Sequence, residues 1–355
     1  MKKETRKLSI DMLSRATSAP AQGVGSVYIE ETRLIEELGK NDFDLAYNKH
    51  GHKYDLYHVH SVNPQYYSIM KRKNCASICF VHFLPNTLEG SIRLPKWAFK
   101  LFCAYVTKFY KAAKEIVVVN PSFIPDLVKF GIDRERITYI PNFVSQEDFF
   151  KASEEKKKEF REKYHIPQDK FVVLGVGQVQ TRKGILDFID VAKKNPDMYF
   201  IWAGGFSFGA ITEGYKNLKK EMETKRDNLS FLGIRSRSEM QEIYNAADCF
   251  LLPSYNELFP MALLENCNIG NPYVVRNLSI YEDILIGDYP KADDNLGFSK
   301  ELRRLKNDHE YYQKATLLAK QMADKYSREN VYLLWRDYYR RIYLKYHPND
   351  KIDFD

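Results

Sequence analysis

The stretch DCFLLPSYNELFPMALLENCNIGNPYVVR, Asp248–Arg276, decides the fold. Cys249 to Leu252 reads as a strand and Pro253 to Asn256 as a turn. Pro260 can open the helix that follows, because a proline in the first helical turn gives up no hydrogen bond. Tyr273 to Val275 reads as a second strand after the Gly270/Pro272 break. The helix N-terminus then leaves the carboxyl edge of a strand. In an open α/β sheet that crevice holds ligands, and unpaired N–H groups there favour an anion. Two carboxylates bracket the turn, Glu257 just before the helix and Glu265 within it. Polar SYNE is wedged between an apolar strand and an apolar helix, a pattern that fits a ligand site better than a plain surface turn.

The same alternation of strand, polar turn and helix runs outward in both directions. Downstream of Lys170 it passes through strand Phe171–Val176, GQVQTRKG and helix Ile185–Lys193. Next come strand Met198–Trp202, AGGFSFG and helix Glu213–Lys225. Strand Leu229–Leu232 and helix Ser238–Ala246, capped by Ser236 or Ser238, complete the run. Segments around Lys300–Arg304, Glu310–Tyr326 and Glu329–Tyr346 look helical. Upstream, Leu8–Leu13 reads as a strand, SRATSAPAQGVGS as a glycine-bearing loop and Val27–Leu38 as a helix. Short strands follow at Phe43–Tyr47, Asp55–Val59, Ala76–Val81 and Glu115–Val119, then a helix at Ser122–Phe130. This is the pattern of mainly parallel sheets covered by helices. The 355 residues suffice for two domains, with a boundary between about Pro141 and Lys170, where the charged segment Lys151–Lys163 lies.

Composition narrows the class. The net charge of +7 suits an acidic surface or ligand without choosing between nucleic acid and membrane. The five cysteines, odd in number and mostly inside apolar runs, read as buried thiols of a reducing compartment. MKKETRKLSIDMLS has charge but no long apolar region, so no signal peptide is expected, and no apolar run is long enough to span a bilayer. The expectation is a soluble or peripheral protein. Lys96 to Lys114 reads as a helix rich in Lys, Trp, Phe and Tyr. With Arg93 it holds six basic residues (Arg93, Lys96, Lys100, Lys108, Lys111, Lys114) against Glu89 alone. Such a helix can lie in the interface of an anionic bilayer, and it can equally be a packed helix with a solvated lysine face. No nucleic-acid motif accompanies it.

Several residues could carry chemistry. Gly175 and Gly177 let backbone approach a ligand, and Arg182 and Lys183 precede a helix N-terminus, which makes a phosphate site. With the helix after Pro260, that gives two anion sites in one domain, enough for a diphosphate. A carboxylate such as Glu265 accepts from neighbouring ribose hydroxyls, and Glu257 can do the same for a sugar. A nucleotide sugar uses all of these groups. His60 and His82 end strands at a carboxyl edge, where ligands bind; His82 is read as functional, while for His60 a structural and a functional reading both stand. GVGS, with Gly23 and Gly25, is read either as a tight turn before a helix or as a substrate contact. Asp42-Phe43-Asp44 and Asp353-Phe354-Asp355 match a short metal-binding pattern and are read as chance.

GVGQVQTRKG, YFIWAGG, LSFLGIRSRSEMQEIYNAADCFLLPS and ELFPMALLE, in this order, resemble the retaining glycosyltransferases of family 4. IPNFV resembles that family's interdomain segment, VHF its strand-end histidine, and GVGS its first-domain glycine loop. The resemblance implies an α/β GT-B fold, two Rossmann-like domains facing across a cleft. Residues 1–148 would bind the acceptor, residues 149–328 the nucleotide sugar, and the helix within 329–355 would pack back on the first domain. It implies that Glu265 holds the ribose and Glu257 the donor sugar. Backbone around Leu258, Phe259, Pro260 and Met261 would meet the diphosphate, with Gly177, Gln178, Arg182, Lys183 and Gly205 completing the donor site. His82 would sit beside the donor sugar and the acceptor and, with Glu257, be catalytic; Gly23, Gly25 and His60 would join His82 in binding the acceptor. Two departures stand out. Gln178 occupies a position where the family usually has Arg, which Arg182 could replace. Leu258-Phe259-Pro260 stands where Gly-Phe-Gly is usual. The family is generally metal-independent, so no metal and no cofactor are expected, and no side-chain nucleophile is named.

FVHFLPNTLEGS, GGFSFGAITEGY and SYNELFPM also resemble a bacterial subgroup that builds glycolipid anchors. That subgroup adds a hexose to diacylglycerol or to glucosyl-diacylglycerol, and the expectation here is the second transfer, from UDP-glucose or UDP-galactose to monoglucosyl-diacylglycerol, making a dihexosyl-diacylglycerol anchor. The resemblance also implies a cytoplasmic, peripheral location on the inner face of the membrane. The alternatives are a soluble, polymeric or protein acceptor, such as capsule or teichoic acid, and a non-catalytic nucleotide-sugar-binding protein. The sequence leaves the hexose, the linkage and the oligomeric state open.

Overall fold

The computed structural model describes residues 6–15, 23–50, 53–72, 75–85, 95–206, 209 and 214–350. Two compact units make up the chain. Unit 1 runs to Phe143 and takes in the chain again from Arg328; unit 2 runs from Val144 to Ser327.

In unit 1 the elements are β1 Leu8–Leu13, α1 Gly23–Leu38, β2 Phe43–Tyr47, β3 Leu56–Val59, α2 Pro64–Met70 and β4 Ala76–Val81. Then come α3 Lys96–Ala112, β5 Glu115–Val118, α4 Ile124–Lys129 and β6 Ile137–Tyr139. The strands pair in the order β2-β1-β3-β4-β5-β6, all parallel. Strand order reverses between β1 and β3, so the loops after these two strands open at the unit's switch point. His60 donates its backbone N–H to the Leu13 carbonyl (2.9 Å), which holds the two loop starts side by side. β3 begins one residue later than the sequence suggests. The Asp55 carboxylate is taken up by the backbone N–H and hydroxyl of Ser9 and by Arg6 (both Ser9 contacts 2.8 Å).

Unit 2 holds α5 Glu154–Lys163, β7 Phe171–Val176, α6 Ile185–Lys194, β8 Met198–Ala203, α7 Tyr215–Glu223, β9 Leu229–Gly233 and α8 Arg237–Ala246. These are followed by β10 Cys249–Leu252, α9 Met261–Ile269, β11 Tyr273–Arg276, β12 Lys291–Ala292, α10 Asn295–Asn307 and α11 His309–Lys325. Its sheet is also six-stranded and parallel, in the order β12-β11-β10-β7-β8-β9. The reversal falls between β7 and β10, whose register aligns Cys249 with Val173 and Phe250 with Leu174. Ser236 caps α8 in a reciprocal capping box with Glu239. Asp248, just before β10, receives Lys157, Arg161 and the Val172 N–H at 2.6–2.7 Å, which fixes the charged α5 to the sheet.

The last helix, α12 Arg328–Tyr346, belongs to unit 1. Val331, Trp335, Tyr338, Tyr339, Ile342 and Tyr343 are buried. Trp335 stacks on Tyr339 (5.3 Å between ring centres) and meets Phe80 of β4 edge-on. Tyr332 and Arg340 both donate to Asp42, and Lys345 and Tyr346 to Glu115. Asp42 is thus a helix anchor, which supports reading Asp42-Phe43-Asp44 as a chance match. Asp353 and Asp355 lie outside the described residues.

The aromatic face expected of the Lys96–Lys114 helix is mostly core. Phe109 and Tyr110 of α3 are buried, and Tyr105 and Tyr110 donate to the carbonyls of Val62 and Phe83. The outward stripe carries Trp97, Leu101, Lys108 and Lys111, with Trp97 70% and Leu101 63% exposed. Arg93 and Glu89 lie outside the described residues. Among the described residues no helix is long and apolar enough to cross a membrane. The cysteines are free, and all but Cys103 are buried.

Replacing Trp335 by alanine removes the ring that joins α12 to β4. The expected cost is about 3–5 kcal/mol, seen as an earlier unfolding transition of unit 1 in a urea titration.

Candidate functional site

The loops after β7 and β10 leave adjacent parallel strands, so their first residues emerge together. In the first loop Thr181–Lys183 forms a single 3-10 turn, and Gly184 then takes a left-handed conformation (φ +70°) before α6 begins. A Cβ on Gly184 would lie 2.3 Å from the Pro253 carbonyl oxygen, so only glycine lets the two loops approach this closely. Tyr255 donates its N–H to the Arg182 carbonyl (2.9 Å), and Arg182 Nη1 donates to the Asn256 carbonyl (2.9 Å). The loops are stitched from both sides.

This clasp brings Lys183 Nζ to 2.6 Å from Glu257 Oε1. The Glu257 carboxyl is almost wholly buried. Burial pushes its pKa up, but Lys183 and then Arg182 outweigh that effect, and the net shift is downward. Glu257 is therefore ionised at neutral pH, an acceptor for hydroxyl groups. The Lys183 chain runs over Gly177, whose φ of +154° is backbone that favours glycine. Gly204, after β8, packs its α-carbon against the Gly177 carbonyl, and Val179 donates its N–H to the Gly205 carbonyl (2.9 Å). Gln178 accepts from Gln180 (2.9 Å) and carries no charge to this edge.

The helix of the opening stretch starts one residue after Pro260, not with it. Pro260 is the N-cap, with extended backbone (φ −75°, ψ 106°), and no side chain caps the amino end of α9. Its first N–H groups therefore lack partners within the helix. Neither Leu258 nor Pro260 has a positive φ, so this turn forms without the left-handed backbone that glycines would supply. Phe259 is buried edge-on against Tyr326 (5.1 Å), which anchors its ring. Met261 is half-buried in the first turn of α9. Glu265 accepts from the Tyr244 hydroxyl (2.7 Å). Burial, then the Glu265 charge, hold the Tyr244 pKa well above its ordinary value, so it stays a donor and orients the carboxylate.

Sequence reasoning passed over three groups here. Arg276, at the carboxyl end of β11, donates to the Pro253 carbonyl (3.0 Å), pairs with Asp187 (3.4 Å) and lies over the exposed Tyr255 ring (4.0 Å). Gln180 bridges Gln178 and Arg182, and Tyr244 braces Glu265. An arginine ending the apolar run YVVR was the one local signal among them.

The remaining predicted residues are in unit 1. His82 directly follows β4 and is buried, stacked on His60 (5.5 Å, 27°) and beside Phe80. Burial, then His58, hold its pKa down at about 3, so it is a neutral imidazole, and among the described residues its Nε2 has no hydrogen-bond partner. The His60 side chain is completely enclosed. Gly23 and Gly25 fall in the first turn of α1, while residues 16–22 of the preceding loop lie outside the described residues, as do residues 86–91 of FVHFLPNTLEGS. In GGFSFGAITEGY, residues 207–208 and 210–213 also lie outside them.

Comparison with known proteins places this geometry. Residues 156–322 match the family described as Glycosyl transferases group 1, and residues 22–148 match Glycosyltransferase Family 4. An alpha-galactosylglucosyldiacylglycerol synthase of Streptococcus pneumoniae is 40% identical over 340 residues, covering 95% of this chain and 91% of that protein. A processive diacylglycerol alpha-glucosyltransferase of Acholeplasma laidlawii is 25% identical over 80% of this chain and 83% of its own length. The fold matches that of Anabaena HepE, solved in complex with UDP-glucose. The TM-score is 0.76 at 14% identity, covering 94% of this chain and 100% of that one.

Gly184→Ala tests the clasp. The strained backbone and the contact with Pro253 should cost about 1–3 kcal/mol and pull Lys183 from Glu257. The expected readout is a lower melting temperature together with weaker binding of UDP, followed by calorimetry.

Proposed function

The chain belongs to the family 4 glycosyltransferases of group 1, and we propose that it moves a hexose from a UDP-sugar to a diacylglycerol glycolipid, with retention at the anomeric carbon. The near end-to-end likeness to the pneumococcal synthase carries this reading. Monoglucosyl-diacylglycerol is the proposed acceptor and UDP-glucose or UDP-galactose the donor.

Within unit 2, Lys183, Arg182 and the amino end of α9, from Pro260 and Met261, are proposed to hold the diphosphate. Their positive charge and aligned N–H groups would stabilise the leaving group without a metal. Gly177, Gln178 and Gly205 would bring backbone close to it. Glu265, held by Tyr244, would take the ribose hydroxyls, and Glu257, held by Lys183, the hydroxyls of the transferred sugar. In unit 1, His82, Gly23 and Gly25 are assigned to the acceptor side. As a neutral imidazole, His82 can hydrogen-bond a hydroxyl without adding charge.

A lipid acceptor stays in the bilayer, so the enzyme must work at its surface. The outward stripe of α3 supports a peripheral mode of attachment. Trp97 and Leu101 would enter the interface while Lys96, Lys100, Lys108 and Lys111 meet anionic headgroups. The proposed location is the cytoplasmic face of the membrane.

The decisive experiment offers each UDP-sugar with diacylglycerol or monoglucosyl-diacylglycerol in mixed vesicles and identifies the product by mass spectrometry. A dihexosyl lipid is expected; glycosylation of soluble acceptors alone would overturn the lipid reading. Glu257→Gln, which keeps a hydrogen bond to Lys183 but loses the charge, should lower kcat about 100-fold or more. Glu265→Ala should raise the KM for the UDP-sugar about 10–100-fold, the size expected for losing hydrogen bonds to a charged group. Trp97→Ser with Leu101→Ser should abolish sedimentation with anionic vesicles while leaving transfer to detergent-dispersed acceptor intact.

A further inference from the structure

Unit 1 contains a buried cluster of titratable groups around His60. His58 and His60 sit two apart around the end of β3, so both rings project to the same side of the sheet. Their centres are 4.2 Å apart. Glu31, from α1, lies against both. Its Oε1 is 3.2 Å from His58 Nδ1 and its Oε2 3.9 Å from His60 Nε2. One ligand atom from each of the three lies within 4.8 Å of the others. The Tyr339 hydroxyl of α12 adds a fourth oxygen, 2.8 Å from His58 Nδ1 and 3.0 Å from Glu31 Oε1.

All four side chains are buried, yet the cluster is poorly satisfied. Among the described residues Glu31 Oε2, His58 Nε2 and both ring nitrogens of His60 have no hydrogen-bond partner. A buried polar atom left in this state costs about 1–3 kcal/mol. The concentration of such atoms on one spot is what a missing central cation would leave. We propose that Glu31, His58 and His60 bind one zinc ion, with the Tyr339 oxygen or a water as the fourth ligand. Two imidazoles and a carboxylate are the donor set that zinc accepts in tetrahedral geometry. Around such an ion the ligand atoms stand roughly 3.3 Å apart, given metal–ligand bonds of about 2.0–2.2 Å. The Glu31 contacts to His58 and His60, 3.2 and 3.9 Å, bracket that value.

The site is enclosed by protein, so the ion is structural. It would clamp α1, β3 and α12, three segments far apart in the chain, and it acts on no substrate. The sequence gives no expectation of a metal. A His-x-His pair at a strand end is ambiguous until the glutamate of another element is brought beside it.

The test uses the full chain, stripped with chelator and then titrated with zinc and, separately, cobalt. The wild-type protein should retain about one zinc per chain through gel filtration and melt at a higher temperature with it. With cobalt it should show the intense visible absorption of a tetrahedral site. Glu31→Gln preserves the bond to Tyr339, and His60→Leu breaks no side-chain hydrogen bond among the described residues. Both should fold by circular dichroism and bind zinc at least 100-fold more weakly. Failure of the wild-type chain to retain zinc would overturn the proposal. Equal retention by both variants would do the same, leaving the cluster a polar core held by Tyr339 alone.

Discussion

The close approach of the Gly184 α-carbon to the Pro253 carbonyl is what lets the loops after β7 and β10 meet, and the clasp at this edge follows from it. Parallel pairing of β7 and β10 delivers two loops to one edge, but pairing alone leaves them free to splay. The glycine removes the atom that would hold them apart. Once they touch, Tyr255 can donate to Arg182 and Arg182 to Asn256, and each bond narrows the positions open to the other loop. The result is a rigid edge formed from segments 74 residues apart in sequence.

That edge concentrates charge of both signs. Lys183 and Glu257 neutralise each other at close range, with the carboxylate deeper than the ammonium. A buried ion pair contributes little net stability, because desolvation offsets much of its attraction, yet removing either partner strands the other. The pair is better understood as a means of orientation. Lysine has three N–H groups, and the bond to Glu257 uses one, so an incoming phosphate need not break the pair to be bound. Arg276 extends the same economy to β11, where one guanidinium serves two carbonyls, a carboxylate and an aromatic ring.

The parallel sheets were legible from the sequence because buried strands are short apolar runs and the turns between them are polar. Several details were not, and the reason is distance along the chain. Glu257 and Lys183 were each legible as ligand groups, but nothing local says that they touch. The Tyr244–Glu265 contact is equally silent in sequence. The aromatic side chains of α3 misled in another way. Helical periodicity shows that a face exists, but not which face is inside, and Phe109 and Tyr110 point into the core while Trp97 does not. α2, β6 and β12 are too short to give a periodic signal. Pro260 was recognised as a helix signal but sits at the cap, since its ψ of 106° is extended. The family resemblance supplied what local patterns could not, namely which of many plausible polar residues belong to one site.

The position of α12 has a consequence in time. Its Trp335 and Tyr339 complete the core of unit 1, whose strands were all made before unit 2 began. On a ribosome adding roughly 5–20 residues per second, unit 1 must wait for some 180 residues of unit 2 to be synthesised, Val144 to Ser327, before its last piece arrives. The stretch Val144–Ser327 of unit 2 is made without interruption and has no such wait. Unit 1 is thus completed only after Val144–Ser327 has been synthesised. During that interval the face that α12 will cover stays open, and this is the period in which the nascent chain most needs protection from aggregation.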